Sequence, residues 1–366
     1  MRLSTTLSLY IGRQFLFSFA AVFLMLLLLI LLMDTIELLR RAAAKPDVEF
    51  AIIMEMALLK LPHMGQQTFP FAVLFGGMLA FWKLTRHNEL VITRSTGVSA
   101  WQFLLPALIL AFLLGVFKIT VFNPLSSTML SRFERLEAIT LKGQQNYLAI
   151  SETGLWLRQS SETGQSVIHS SQVLQQDQEV ELSDVIVFMY KGSDRFLKRI
   201  DAEQARLVDG FWHMRNVWIH DPETPSKFEN EYWLETDLTL NSIQDSFATP
   251  ETMSFWDLSG FIKTMEKSGF SAVRHRLHWH SLMASPLLMC AMVLIAATFT
   301  LRQARRGGTS FIIASGVMTG FVLYFFSDVV YALGLSDSIP VTLAAWTPSG
   351  VATLLGLAML LHLEDG

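Results

Sequence analysis

Six stretches of this sequence contain no Asp, Glu, Lys or Arg: Gln14 to Met33, Leu61 to Trp82, Ser95 to Phe117, Leu277 to Leu301, Gly307 to Ser327 and Ser338 to Leu363. A helix needs roughly 20 residues to cross about 30 Å of hydrocarbon, and every stretch reaches that length. Backbone groups in lipid must be satisfied within the segment, so apolar runs of this length are expected to be helices. The second stretch opens with Pro62, His63, Gln66 and Gln67, which sets the start of its crossing nearer Met64. Only 16% of the 366 residues are charged and 51% are hydrophobic, against roughly 25% charged in soluble domains. That balance excludes a disordered, collagen-like or nucleic-acid-coating chain and makes an integral membrane protein the leading class. The single Cys290 forms no internal disulfide, so cysteine usage is silent about compartment.

Between the third and fourth stretches the composition changes. From about Pro124 to Arg274 the chain holds 22 of the 32 acidic and 14 of the 28 basic residues, a net of −8, which leaves +4 for the remainder. Some 150 residues suffice for a domain with its own core. Tyr232 to Leu240 alternates, with Tyr232, Leu234, Leu238 and Leu240 on one face and Glu235 and Asp237 on the other. Val185 to Tyr190 and Phe211 to Ile219 are β-branched and aromatic runs, and Tyr147 to Ile150 and Leu155 to Leu157 flank a Ser-Glu-Thr-Gly turn. Short strands at this spacing point to an all-β sandwich, barrel or jelly roll. Trp156, Trp212, Trp218 and Trp233 are read as core or rim, with an apolar groove for acyl chains as the functional alternative. A helix follows: Ser254 caps it, Asp257 lies in its first turn, and Phe255, Leu258, Phe261, Ile262 and Met265 form a stripe closed by Lys267-Ser268-Gly269. The expected divisions are membrane helices in 1–123, a β domain in 124–253, a connecting helix in 254–276 and membrane helices in 277–366.

The basic excess is uneven. One set of loops receives Arg2, Arg13, Lys83, Arg86, Arg94, Arg302, Arg305 and Arg306, whereas the opposite short loops hold Arg40, Arg41 and Lys45 diluted by Asp34, Glu37, Asp47 and Glu49. The positive-inside rule makes the first set cytoplasmic, so both termini are inside and the β domain is outside, which in a Gram-negative bacterium is the periplasm. A cleaved leader ending at Ala42-Ala43-Ala44 is the rival reading of the N-terminus. Its apolar part runs to about 20 residues, whereas leaders use roughly 7–15.

No G-x-x-x-x-G-K-[ST] loop, H-E-x-x-H pair, cysteine cluster or G-x-S-x-G elbow occurs, so no catalytic apparatus, resident cofactor or metal is expected. His275, His278 and His280, beside Arg274, Arg276 and Trp279, read as an interfacial belt opening the fourth span. Asp328 is the one ionisable residue read as intramembrane, a functional candidate by position. It and Lys118 are placed near the outer interface, as a capped or snorkelling group or in a pair with a basic neighbour.

Two constellations remain. Between spans two and three lies Lys83-Leu84-Thr85-Arg86-His87-Asn88-Glu89-Leu90-Val91-Ile92. Apolar Leu90, Val91 and Ile92 predict a short amphipathic helix that presents the Glu89 carboxylate to an arginine of a docking partner. A solvated connector is the alternative. The second constellation is Arg40-Arg41 beyond span one, with Arg132 and Arg135 at i, i+3 beyond span three. Guanidinium pairs suit phosphate by bidentate bonding, and lipid-headgroup anchoring is the alternative.

Tyr10-Ile11-Gly12-Arg13, Pro62 and Pro70, Asn88-Glu89-Leu90-Val91, Ser95-Thr96-Gly97-Val98-Ser99, Pro286, Tyr324 with Asp328, and Pro340 occur in that order. This order, and the layout of three spans, β domain and three spans, resembles the lipopolysaccharide export permeases of the YjgP/YjgQ family, LptF and LptG. The Tyr-Ile-Gly-Arg start and Arg40-Arg41 resemble the LptG branch more closely. The resemblance implies one permease half of an ABC exporter in the bacterial inner membrane, paired with an LptF-type permease and with an LptB-type ATPase dimer that uses ATP and magnesium. It implies a jelly-roll-like periplasmic domain that hands lipopolysaccharide to LptC and LptA. The resemblance places the coupling glutamate on Glu89, within a coupling loop over 83–99. It places phosphate contacts on Arg40 and Arg41, and with them Arg132 and Arg135. A family lysine at the outer end of span one corresponds to Asp34, a departure in the phosphate-contact pattern. A membrane-anchored sensor or assembly scaffold is the competing hypothesis, and pull-down of a nucleotide-binding subunit separates the two. A secondary transporter fits less well, because the spans lack charged or broken midplane helices.

Overall fold

The computed structural model describes residues 5–43, 48–87, 89, 99–142, 148–151, 154–161, 164–176, 179–191, 195–208, 210–222, 224–236, 249–267, 271–303 and 309–365. Among these, six helices are long and apolar enough to cross a membrane, one for each charge-free stretch. They are α1 (Thr5–Ala42), α2 (Phe50–Arg86), the helix opened by α3 (Ala100–Phe117), α6 (Val273–Gln303), α7 (Thr309–Leu335) and α8 (Val341–Asp365). Two compact units result: residues 1–141, 251–255 and 276–366 form a helical unit, and residues 142–250 and 256–275 form the other.

α1, at Thr5–Ala42, outruns the Gln14–Met33 stretch, and two further helices depart more from what the sequence predicts. α2 begins at Phe50, ahead of the expected crossing near Met64, and runs through Pro62 and Pro70. Flanking residues and neighbouring helices satisfy the backbone groups that a proline frees, so such helices persist. α3 does not stop at its last apolar residue. A π turn over Lys118–Phe122 leads into α4 (Asn123–Glu137), and a second π turn follows over Ala138–Lys142. The 42 residues from Ala100 to Leu141 make a rod of about 63 Å. Residues 124–141, expected with the β domain, therefore fall in the helical unit. Their polar composition hides an amphipathic helix: Ser126, Ser127, Leu130, Phe133 and Glu137 are buried at three- and four-residue spacing.

The core of the helical unit gathers Phe15 and Phe19 of α1, Phe69, Leu74 and Phe81 of α2, Phe103 and Leu104 of α3, and Met289 and Leu294 of α6. Phe23, Phe69 and Phe122 interlock with ring centres 4.8 and 5.1 Å apart. At Gly76 a Cβ would lie 2.7 Å from the Phe19 Cα, so α1 and α2 meet there backbone to backbone. A smaller cluster joins Leu38 and Ala42 of α1, Ile53, Met56 and Ala57 of α2, and Leu130 and Phe133 of α4.

The second unit carries a seven-stranded antiparallel sheet in sequential order: β1 (Leu148–Ser151), β2 (Gly154–Ser161), β3 (Gly164–Gln176), β4 (Glu179–Lys191), β5 (Arg195–Val208), β6 (Phe211–Asp221) and β7 (Thr224–Glu235). The expected β domain is thus present. Its strand order is that of a meander, whereas a double Greek key would interleave the strands. Across the middle runs a transverse row, Ser171, Asp184, Glu203 and Asn216, at which the regular pairing lapses. Asp184 and Asn216 take φ of 51° and 52° there, and short polar residues tolerate that region best. Ser171 donates to Asp184 at 3.0 Å and Asn216 to Glu203 at 2.6 Å. Buried positions shift phase across the row, from Leu182 to Val185 and Val187 on β4 and from Trp212 and Met214 to Val217 on β6. One continuous apolar face is kept through the break.

Of the four tryptophans expected in core or rim, Trp212 is fully enclosed, and Trp156, Trp218 and Trp233 are exposed. Trp233 stacks on His213 with ring centres 4.2 Å apart. Residues 237–240, the end of the predicted Tyr232–Leu240 strand, lie outside the described residues. The connecting helix forms as α5 (Phe255–Lys267), with Leu258, Ile262 and Met265 buried.

Candidate functional site

Arg40 and Arg41 occupy the last turn of α1, not a loop beyond it, and Asp34 and Glu37 are on the same helix. No Gly or Pro interrupts the chain between Met33 and Ala42, and Leu, Glu, Arg and Ala are good helix formers. Glu37 stands one turn ahead of the arginines, where opposite charges meet along a helix. Arg40 grips it with a fork, Nε on Oε2 and Nη2 on Oε1, each at 2.9 Å. Arg41 donates through Nε to Glu37 at 3.0 Å and through Nη1 to Glu137 of α4 at 3.4 Å. The Arg40 side chain is still 77% exposed, and a guanidinium has five N–H donors in a fixed plane. Glu37 therefore orients Arg40 without exhausting it.

Nearly two turns below, Lys60 of α2 donates to Asp34 at 2.5 Å, with side-chain exposures of 19% and 14%. The Lys60 ammonium also lies 5.5 Å from the Phe133 ring centre of α4. Breaking one partner of such an enclosed pair strands the other charge, at a cost of roughly 3–5 kcal/mol. We expect Lys60→Met to lower the thermal midpoint of the detergent-solubilised protein by several degrees and Lys60→Met with Asp34→Asn to recover most of it. A double variant as unstable as the single one would show that packing against Phe133, not the charge pair, is what matters.

Arg132 and Arg135 are exposed on α4. The Arg41–Glu137 bridge and the Leu38, Leu130 and Phe133 cluster hold that helix to the end of α1. The two arginine pairs expected beyond spans one and three are therefore carried on helices that share α2 as a neighbour and are tied by the Arg41–Glu137 bridge. Glu89 lies just past the end of α2, and its Oε1 accepts the Tyr10 hydroxyl of α1 at 3.1 Å. Leu90 and Val91 are outside the described residues. Asp328 is exposed on α7, on a face with Phe321, Tyr324 and Phe325. Lys118, expected at an interface with water, is instead buried in the first π turn. The helix continues past Lys118 and packs on α2, and this draws the residue inward.

Sequence reasoning missed Tyr10, Glu37, Lys60 and Glu137 as partners. Glu37 had a readable signal, a carboxylate three and four residues before two arginines. Asp34 and Lys60 had one too, since each bounds a charge-free stretch and opposite charges at the ends of adjacent spans can meet. Nothing local marks the pairings of Tyr10 with Glu89 or Arg41 with Glu137, which bridge 79 and 96 positions.

Comparison with known proteins agrees with this layout. The model for the lipopolysaccharide export system permease LptF/LptG family matches residues 9–362. The lipopolysaccharide export system permease protein LptG of Escherichia coli strain K12 is 23% identical over 311 residues, 83% of this chain and 84% of the relative. The LptG protein of Haemophilus influenzae is 23% identical over 354 residues, 94% of this chain and 95% of the relative. With nearly its whole length matched, six long apolar helices and a β domain inserted between the third and fourth, the chain belongs to the lipopolysaccharide export system permease LptF/LptG family.

Proposed function

We propose that the chain is one permease half of an ABC exporter that draws lipopolysaccharide from the outer leaflet of the bacterial inner membrane and passes it to a periplasmic bridge. Both termini are cytoplasmic in this reading and the β domain is periplasmic. The observation that carries it is the Arg41–Glu137 bridge between the end of α1 and α4, two helices that both pack on α2. In this reading Arg40 and Arg41 on α1, with the exposed Arg132 and Arg135 on α4, take the phosphates of lipid A or the inner core. Glu37 and Glu137 hold Arg41 in place, so a phosphate meets donors that are already ordered.

The sequence holds no nucleotide-binding loop, which fits energy supplied by an LptB-type ATPase dimer using ATP and magnesium. Glu89 is the contact through which that motion enters. An LptF-type permease completes the membrane part, and the exposed Asp328 on α7 lies on a face that a second subunit could cover, since ionisable groups rarely face lipid. LptC and LptA receive the lipid from the β domain. The test is co-expression with these partners, purification in detergent and mass spectrometry of retained lipid. Stable co-purification of the ATPase with bound lipopolysaccharide is expected. Recovery of this chain without a nucleotide-binding subunit would favour a membrane-anchored sensor or scaffold.

A further inference from the structure

We propose that Tyr10 is the residue through which the carboxylate at the end of α2 takes hold of α1, so that motion of the coupling segment reaches the Arg40–Arg41 end. The inference rests on the reading of Glu89 as the contact with the ATPase. Three observations support it.

The Tyr10 hydroxyl donates to Glu89 at 3.1 Å across 79 positions of sequence. The acceptor is a carboxylate, and the bond, exposed and at 3.1 Å, lies at the long end of O–H···O distances. The second observation is the build of α1. Its 38 residues contain no proline and a single glycine, Gly12, and about 45 Å of unbroken helix separates Tyr10 from Arg40. α2, which leads directly to Glu89, carries Pro62 and Pro70 within it. Each proline removes a backbone hydrogen bond and favours a bend, so α1 is the stiffer route to the far side.

The third observation is how the far end of α1 is fixed. Asp34 is tied to Lys60 on α2, and Arg41 to Glu137 on α4. Between the ends α1 packs through Ile11, Phe15 and Phe19, while Leu24, Met25, Leu28 and Leu29 are exposed. Polar ties therefore grip the helix at both extremities, and apolar packing guides it between them. A displacement of Glu89 pulls on Tyr10 and is delivered to the ionic ties around the arginine pair, loosening or tightening them.

The test uses the intact complex with its ATPase and second permease in nanodiscs. Spin labels are placed at Leu39 and Ile139, both exposed, in a Cys290→Ser background. Pulsed electron paramagnetic resonance then measures their separation without nucleotide and with ATP-magnesium trapped by vanadate. The wild-type background is expected to show a nucleotide-dependent change. Tyr10→Phe, which keeps the ring and loses the donor, is expected to abolish most of it and to lower lipid released per ATP several-fold, with the ATPase still co-purifying. A full change in Tyr10→Phe, or none in the wild-type background, overturns the proposal. Glu89→Ala, measured on the fraction that retains the ATPase, is the separating arm. A change that survives Glu89→Ala removes the coupling reading itself. A change lost in Glu89→Ala and kept in Tyr10→Phe removes only the role of Tyr10.

Discussion

Reversing Arg40 and Arg41 together to glutamate should reduce the lipopolysaccharide that co-purifies with the assembled transporter by at least about ten-fold. Each charge-assisted bond to a phosphate is worth roughly 1.5–3 kcal/mol, and reversal replaces attraction with repulsion from Glu37 as well as from the lipid. The loss should be steepest for doubly phosphorylated lipid A and shallow for a dephosphorylated analogue, because the hydrocarbon contacts are untouched. Arg40→Lys is the informative companion. It keeps the charge and gives up the planar fork that Arg40 now makes with Glu37, so an intermediate loss is expected if bidentate geometry matters. Equal retention of both lipids by the reversed protein would return the pair to headgroup anchoring. Purification at low ionic strength keeps the contrast, since exposed charge contacts are screened beyond about 10 Å at 0.1 M and beyond about 3 Å at 1 M.

Glu89→Ala should have the second large effect. Removing one member of a desolvated, hydrogen-bonded charge pair at an interface costs about 2–5 kcal/mol. On that scale, co-purified ATPase should fall by thirty-fold or more, or an assembled complex should hydrolyse ATP without releasing lipid. Glu89→Gln keeps an oxygen that accepts from Tyr10 and loses the charge, so it tests the ionic part of the contact. Normal ATP-driven release by Glu89→Ala would end the coupling role.

The legibility of this protein in its sequence followed the range of the forces involved. The six crossings were readable because lipid imposes one rule on every residue of a span, and the absence of charge records it. The individual strands were readable for the same local reason, the β-branched and aromatic run of Phe211–Ile219 and the turn flanked by Leu155–Leu157. Their break was not. Asp184 and Asn216 look like ordinary polar strand residues until positive φ values appear in the same transverse row of adjacent strands. The extension of α3 into α4 was misread because bulk polarity outweighed the three- and four-residue spacing of Leu130, Phe133 and Glu137. The arginines were found by their improbable position, but their counter-ions were not, since Glu137 approaches Arg41 only once α4 is known to be a helix.

The bare meeting of Gly76 with the Phe19 backbone has a mechanical meaning for α1. With no side chain between them, the two backbones approach closely there, and that contact can serve as a fulcrum. Phe19 is nine residues from Tyr10 and 21 from Arg40, arms of about 14 and 32 Å at the rise of a helix. If α1 rocks there as a rigid body, a shift of roughly 2 Å at Tyr10 becomes between about 4 and 5 Å at Arg40, by the same rise per residue. A helix seated off-centre in this way trades force for travel. That suits a device whose input is a small movement at one membrane surface and whose output must disengage charged groups at the other.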